Sequence, residues 1–158
     1  MRIAVEPLTK PAFSPFGEVL EAVGEPDRLI NQGLCGRWHD LAAPQVEGGH
    51  VGLSIFRSEA RTLPYRLDMV ERHPLGSQAF LPMTSDPFLV IVCPDEGGRP
   101  GVPRAFLTAP GQGVNYARGT WHGVLTPLAE PGLFAVVDRI GEGNLEEHWF
   151  EEAWKVGP

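Results

Sequence analysis

Cysteine is scarce in this chain: Cys35 and Cys93 are the only two in 158 residues, and neither belongs to a C-x-x-C pair. Such a spacing spells out no thiolate zinc site. Basic residues are outnumbered as well, 13 Lys and Arg against 20 Asp and Glu, for a net charge of −7. That balance argues against non-specific nucleic-acid binding, which needs cations to neutralise phosphates, and against an anionic membrane surface. No apolar stretch approaches the roughly 18 residues of a membrane-spanning helix, and Met1–Pro7 contains no long apolar signal segment, so a cytoplasmic location is expected. Helix signals are few. Thr9 can cap one turn over Lys10–Phe13, with Pro11 early enough to be tolerated, and the apolar residues at 145, 149, 150, 153 and 154 can form a helical stripe in the tail.

Turn formers are plentiful by contrast. Nineteen glycines and 16 prolines are spread along the whole chain and punctuate short apolar segments. Strands are expected at Gly17–Val23, Val51–Arg57, Gln78–Met83, Phe88–Cys93, Arg104–Thr108, Gly113–Tyr116, His122–Thr126 and Leu133–Arg139. The first apolar pair, Gln78–Met83 and Phe88–Cys93, is separated by Thr84-Ser85-Asp86-Pro87 and reads as a hairpin. The pattern predicts one all-β domain over residues 1–158, a sandwich or barrel large enough for its own core.

Two segments carry chemistry. In Glu71-Arg72-His73-Pro74-Leu75-Gly76-Ser77-Gln78, strand alternation puts Glu71 and His73 on one face and Arg72 on the other. A carboxylate beside an imidazole forms an acid/base pair, because the carboxylate can fix the ring tautomer. In Gly111–His122 the polar side chains of Gln112 and Asn115, the aromatics Tyr116 and Trp121, and His122 stand among glycines that let backbone approach a ligand closely. A charged surface strand and a hairpin with a core histidine are the plainer readings of the same residues. His39 is expected as a turn histidine bonded to Asp40, and His50 and His148 as solvent-exposed.

Together the two segments approximate the paired motifs of cupins. Glu71, His73 and Gln78 fall in the His, His and Glu places of the first motif; Gly111, Gly119 and His122 match the second in register. Tyr65, Ser85, Ala117 and Thr126 stand where that pattern has Gly, Gly, Pro and Asn. More specifically, ERHPLGSQAFLPM at Glu71–Met83, GVNYARGTWH at Gly113–His122, INQGLCGRWHDLA at Ile30–Ala42, and the shorter PAFSPFGEVLE and VVDRIGEG resemble the bacterial ureidoglycolate lyase family of allantoin degradation.

The resemblance implies a single cupin-type barrel (double-stranded β-helix, or jelly roll) with a short N-terminal helical turn. It also implies a homodimer and an elimination of urea from ureidoglycolate that leaves glyoxylate, as a step of purine nitrogen catabolism. Such chemistry needs a base for the hydroxyl proton, an acid for the leaving nitrogen and an anchor for the carboxylate. His73, His122 and Glu71 are the expected catalytic residues; Gln78, Asn115, Tyr116, Trp121 and Arg139 are the expected substrate contacts. Arg57 and Arg37 compete with Arg139 as the anchor. No cofactor is expected to be required, and a divalent metal, if bound, would be held by His73, His122 and Glu71. The competing readings are a metal-dependent cupin oxygenase or isomerase acting on another small acid, and a non-catalytic cupin that binds one.

Overall fold

The computed structural model describes residues 1–158. Ten strands carry the architecture: β1 Gly17–Leu20, β2 His50–Ser58, β3 Tyr65–Arg72, β4 Gln78–Pro82, β5 Phe88–Cys93, β6 Arg104–Leu107, β7 Gly113–Tyr116, β8 Trp121–His122, β9 Gly132–Ile140 and β10 Glu146–Val156. The one helix, α1, is Lys10–Phe13; the Thr9 hydroxyl accepts a hydrogen bond from the Ala12 amide at 3.3 Å, as an N-cap should.

Two sheets face each other. The smaller runs β1-β7-β4-β9-β2. The larger runs β10-β3-β8-β5-β6, with Arg2–Ile3 added parallel to β10 at one edge and Val5–Pro7 added parallel to β6 at the other. Only Ala4 separates those two edge segments, so the larger sheet curls nearly shut, and the whole is a cupin-type barrel, as the family resemblance implied.

The continuous apolar run of β5 has a physical reason. Phe88, Val90 and Val92 enter one core, between the sheets, with Phe13, Phe80, Phe106, Val114, Tyr116, Phe134 and Val136. Leu89, Ile91 and Cys93 enter a second, with Leu67, Val70, Ala105, Trp121 and Val156. A strand buried on both faces loses polar alternation. Close packing also explains Gly17, whose φ is +148° and where a Cβ would overlap the Asn115 carbonyl oxygen.

Three expectations need correction. Gln78–Pro82 and Phe88–Cys93 are not a hairpin: β4 pairs with β7 and β9, whereas β5 lies in the opposite sheet, so the turn between them crosses the barrel. The tail is a strand, not a helix. β10 pairs antiparallel with β3, and a register shift between Trp149 and Trp154 breaks its alternation. That strand also half-buries His148, which packs edge-on against Trp121 and Phe150 instead of facing solvent.

Candidate active site

Pairing register brings the distant acid/base residues together. His122 on β8 lies directly opposite Glu71 on β3, and both side chains face the space between the sheets. His73 follows one step beyond the strand end. One ligand atom from each of Glu71, His73 and His122 lies within 4.8 Å of the others. The two imidazole centroids are 5.1 Å apart, and Glu71 Oε1 lies 3.8 Å from His73 Nε2.

His122 is sealed in. Its ring stacks on Tyr116 with centroids 4.3 Å apart and planes 5° from parallel. Nδ1–H donates to the Gly123 carbonyl at 3.0 Å, so the lone pair is on Nε2, which is buried without a partner. Burial foremost, and then the neighbouring His73, push its pKa down to about 3, so the ring is neutral at physiological pH. Glu71 is shifted the other way. Burial raises its pKa and Glu147, opposite it on β10, adds to the effect, while His73 opposes it.

His73 is held at both nitrogens: Nδ1 lies 2.8 Å from the Asn144 carbonyl and Nε2 lies 3.0 Å from Gln78 Oε1. The Asn144 side chain accepts from the Leu75 amide at 2.8 Å and pins the same loop. Gln78 in turn donates from Nε2 to Asp138 Oδ2 at 3.0 Å. Neither Asn144 nor Asp138 was expected from the sequence.

The structure does not bring every expected contact residue to this cluster. Gln78 and Tyr116 are there. Trp121 is not: it lies in the second core, donates to Asp95 at 3.0 Å and carries the Arg72 guanidinium 4.4 Å from its ring. Asn115 faces outward from the smaller sheet, bonded to Glu18 at 2.9 Å, and lines a cavity of about 320 Å³ with Trp38 and Leu41. Arg139 also points away, donating to the carbonyls of Glu47, Gly48 and Glu142, where it clasps two loops. Arg57 lies exposed on β2 and Arg37 is exposed beside Gly36. His39 makes its main-chain bond to Asp27, and its ring Nδ1 has no partner, so the expected bond to Asp40 is not formed.

The cluster is only partly open to solvent. Five surface cavities of about 320 to 510 Å³ lie elsewhere, lined by none of the three residues. Access is from the side of Glu71 and His73, whose side chains keep 23% and 17% of their surface exposed. The donor set also fits a divalent ion. Both rings can direct Nδ1–H to backbone carbonyls, which is how ligating imidazoles are usually oriented, leaving both Nε2 atoms and the Glu71 carboxylate convergent.

Comparison with known proteins identifies the family. The family model of ureidoglycolate lyase matches residues 1–157. The chain belongs to the ureidoglycolate lyase family. Among curated family members, the ureidoglycolate lyase of Chelativorans sp. (strain BNC1) is 61% identical over 158 residues, covering 98% of this chain and 96% of its own. That of Rhodobacter capsulatus is 60% identical over 149 residues, 93% of this chain and 92% of its own. Ureidoglycolate lyase 2 of Rhizobium meliloti is 51% identical over 157 residues, 98% and 96%.

The buried cluster makes acid stability predictable. Unfolded, His122 takes up a proton near 6.5; folded, it resists until about 3. Its contribution is therefore complete above 6.5 and is lost as pH falls through that window, by up to about 1.4 kcal/mol per pH unit. Glu71, raised above its usual 4.5, works in the opposite sense above that value, so the His122 effect stands unopposed below it. In chelator-treated protein, the urea midpoint between pH 4.5 and 3 should fall more steeply for the parent than for His122→Phe. Parallel curves would contradict a depressed His122.

Proposed function

We propose that this protein is a ureidoglycolate lyase that eliminates urea from ureidoglycolate to give glyoxylate, in the purine nitrogen catabolism downstream of allantoin. The supporting observation is the convergence of Glu71, His73 and His122, with the pKa of Glu71 raised and that of His122 lowered, in a chain that matches this lyase family along its whole length.

The substrate carries a carboxylate, a hydroxyl and a ureido nitrogen on one carbon. The single hydroxyl proton lies in a three-centre bond between the free Nε2 of neutral His122, which orients it, and the Glu71 carboxylate. Glu71, a stronger base than an ordinary carboxylate, takes the hydroxyl proton as the C–O bond becomes a carbonyl. The C–N bond breaks, and His73, with its nitrogens beside the Asn144 and Gln78 oxygens, supplies the proton that the departing urea nitrogen needs. Tyr116 walls the site through its stack on His122. Arg139, Arg57 and Arg37 point elsewhere, so none of the three anchors the substrate carboxylate. A divalent ion held by Glu71, His73 and His122 would supply a Lewis acid for the substrate oxygens.

The direct test is product analysis with the purified protein. Equimolar glyoxylate and urea support the reading; ammonia in place of urea would mark an amidohydrolase and overturn it. Assays with and without chelator, alongside metal analysis, decide whether an ion assists.

We also infer a homodimer that works in the cytoplasm. No helix is long and apolar enough to cross a membrane, and both cysteines are unpaired, which suits a reducing compartment. The dimer is supported by the outer face of the smaller sheet. Val51, Leu53 and Ile55 project outward from edge strand β2, and Leu53 is 84% exposed; beside them lie Val137, Ala135 and Leu81. None of these positions is acidic, in a chain of net charge −7. A patch of this kind marks an interface, and a two-fold axis would bring it against itself. Leu53→Glu should convert a sedimenting dimer to monomer with an unchanged circular dichroism spectrum. A monomeric parent at tens of micromolar would refute the dimer.

A further inference from the structure

Asp138 lies outside the acid/base cluster, yet its position is informative. It stands opposite Gln78 in the β9–β4 register, and its Oδ2 accepts from Gln78 Nε2 at 3.0 Å. A glutamine amide has two ends of similar shape and opposite hydrogen-bonding character. A carboxylate accepts only, so Asp138 selects the NH2 end. The carbonyl end, Oε1, must then face the cluster, where it lies 3.0 Å from His73 Nε2. The reverse orientation would set the Gln78 oxygen against the Asp138 carboxylate.

We propose that Asp138 is a positioning residue for the elimination: it fixes the sense of the Gln78 amide so that an oxygen acceptor, and not a donor, holds the His73 Nε2 edge. The inference rests on the lyase reading above, since it assigns His73 its place in that reaction. Gln78 is thereby engaged at both ends, to His73 and to Asp138, and acts through His73 more than on the substrate. The same inward oxygen suits His73 carrying a proton at Nε2 and suits a cation beside it, so the constraint serves the site in either state. Gln78 is 6% exposed, which leaves water little room to replace the missing acceptor.

The arrangement can be exchanged by mutation. In D138N an amide faces an amide, and the sense of Gln78 is no longer dictated. In Q78E two carboxylates oppose each other, and their repulsion swings the β4 side chain, with its inward oxygen, off the His73 edge. In the Q78E/D138N double variant the two side-chain types trade places. One oxygen of the carboxylate now on β4 accepts from the amide now on β9, while the other faces His73. The inward acceptor thus returns with the pair's total charge unchanged. We expect kcat to fall roughly 10–100-fold in each single variant with KM within about threefold, the size of effect seen when an orienting partner is removed. The double variant should recover at least about tenfold over the weaker single, and thermal midpoints should not track the kcat pattern. D138N within about twofold of the parent, or a double no better than the singles, would overturn the proposal. Should D138N not fold, Q78E against the double makes the same comparison. His73→Ala separates the two levels: if it stays active, the reading of the site fails; if it is inactive while D138N is normal, only the role of Asp138 fails.

Discussion

His122→Ala should lower kcat for urea release by roughly 10²–10⁴-fold, the range expected when a group in contact with the transferred proton is deleted. One atom carries this expectation. Nε2 of His122 is a buried acceptor with no partner in the folded chain, in a position where almost every buried polar atom is bonded. Leaving an acceptor bare costs about 1–3 kcal/mol unless a ligand satisfies it. The Tyr116 stack and the Gly123 carbonyl fix the ring so that this lone pair points toward Glu71 and His73. His122→Phe separates chemistry from packing, because it keeps an aromatic ring on Tyr116 without the acceptor. The parent-like thermal midpoint should return in part with Phe, and the activity should not. Recovery of activity with Phe would mean that the ring, not its nitrogen, is what the site needs.

Phe13→Ala should cost about 3–5 kcal/mol, the usual penalty for a large cavity at a buried phenylalanine. Phe13 is fully buried on the single turn of α1, and its ring meets Phe106 edge-on at 6.1 Å and Phe16 and Tyr116 at 6.0 and 6.2 Å. For a chain of this size, each kcal/mol lowers the melting temperature by about 2–4 °C, so a drop on the order of 10 °C or more is expected by calorimetry. The effect should reach the site, since Tyr116 is the link between Phe13 and His122. A variant that folds should therefore lose kcat as well as stability, and a drop below about 1 kcal/mol would show that α1 is peripheral to the core.

The all-β class and the cap at Thr9 were legible from strand alternation, turn formers and capping chemistry, and Glu71 beside His73 from alternation, whereas their meeting with His122 was implied by the cupin resemblance. The misplaced residues share one physical cause. Trp121 and His122 are neighbours on a strand, as are Asn115 and Tyr116, and neighbours must face opposite sides. Only one member of each pair can therefore reach the pocket, a constraint that a polar residue beside a buried aromatic conceals when both faces are covered. The same parity offered a signal for Asp138: if Arg139 faces out, Asp138 faces in, opposite Gln78. Other features had no local signal. The bulge between Trp149 and Trp154 interrupts the alternation of the tail strand and leaves a spacing that imitates a helix. Asn144 acts through its main-chain carbonyl, which any residue type possesses, so its contact with His73 depends on the fold of the whole chain.

A crystal of the protein soaked with glyoxylate addresses the chemical centre without relying on any variant. The product should lie, as its hydrate, between Glu71, His73 and His122, with a hydroxyl donating to His122 Nε2. Glyoxylate seated instead in the outer cavity beside Asn115 and Trp38, with His122 Nε2 still bare, would contradict the account.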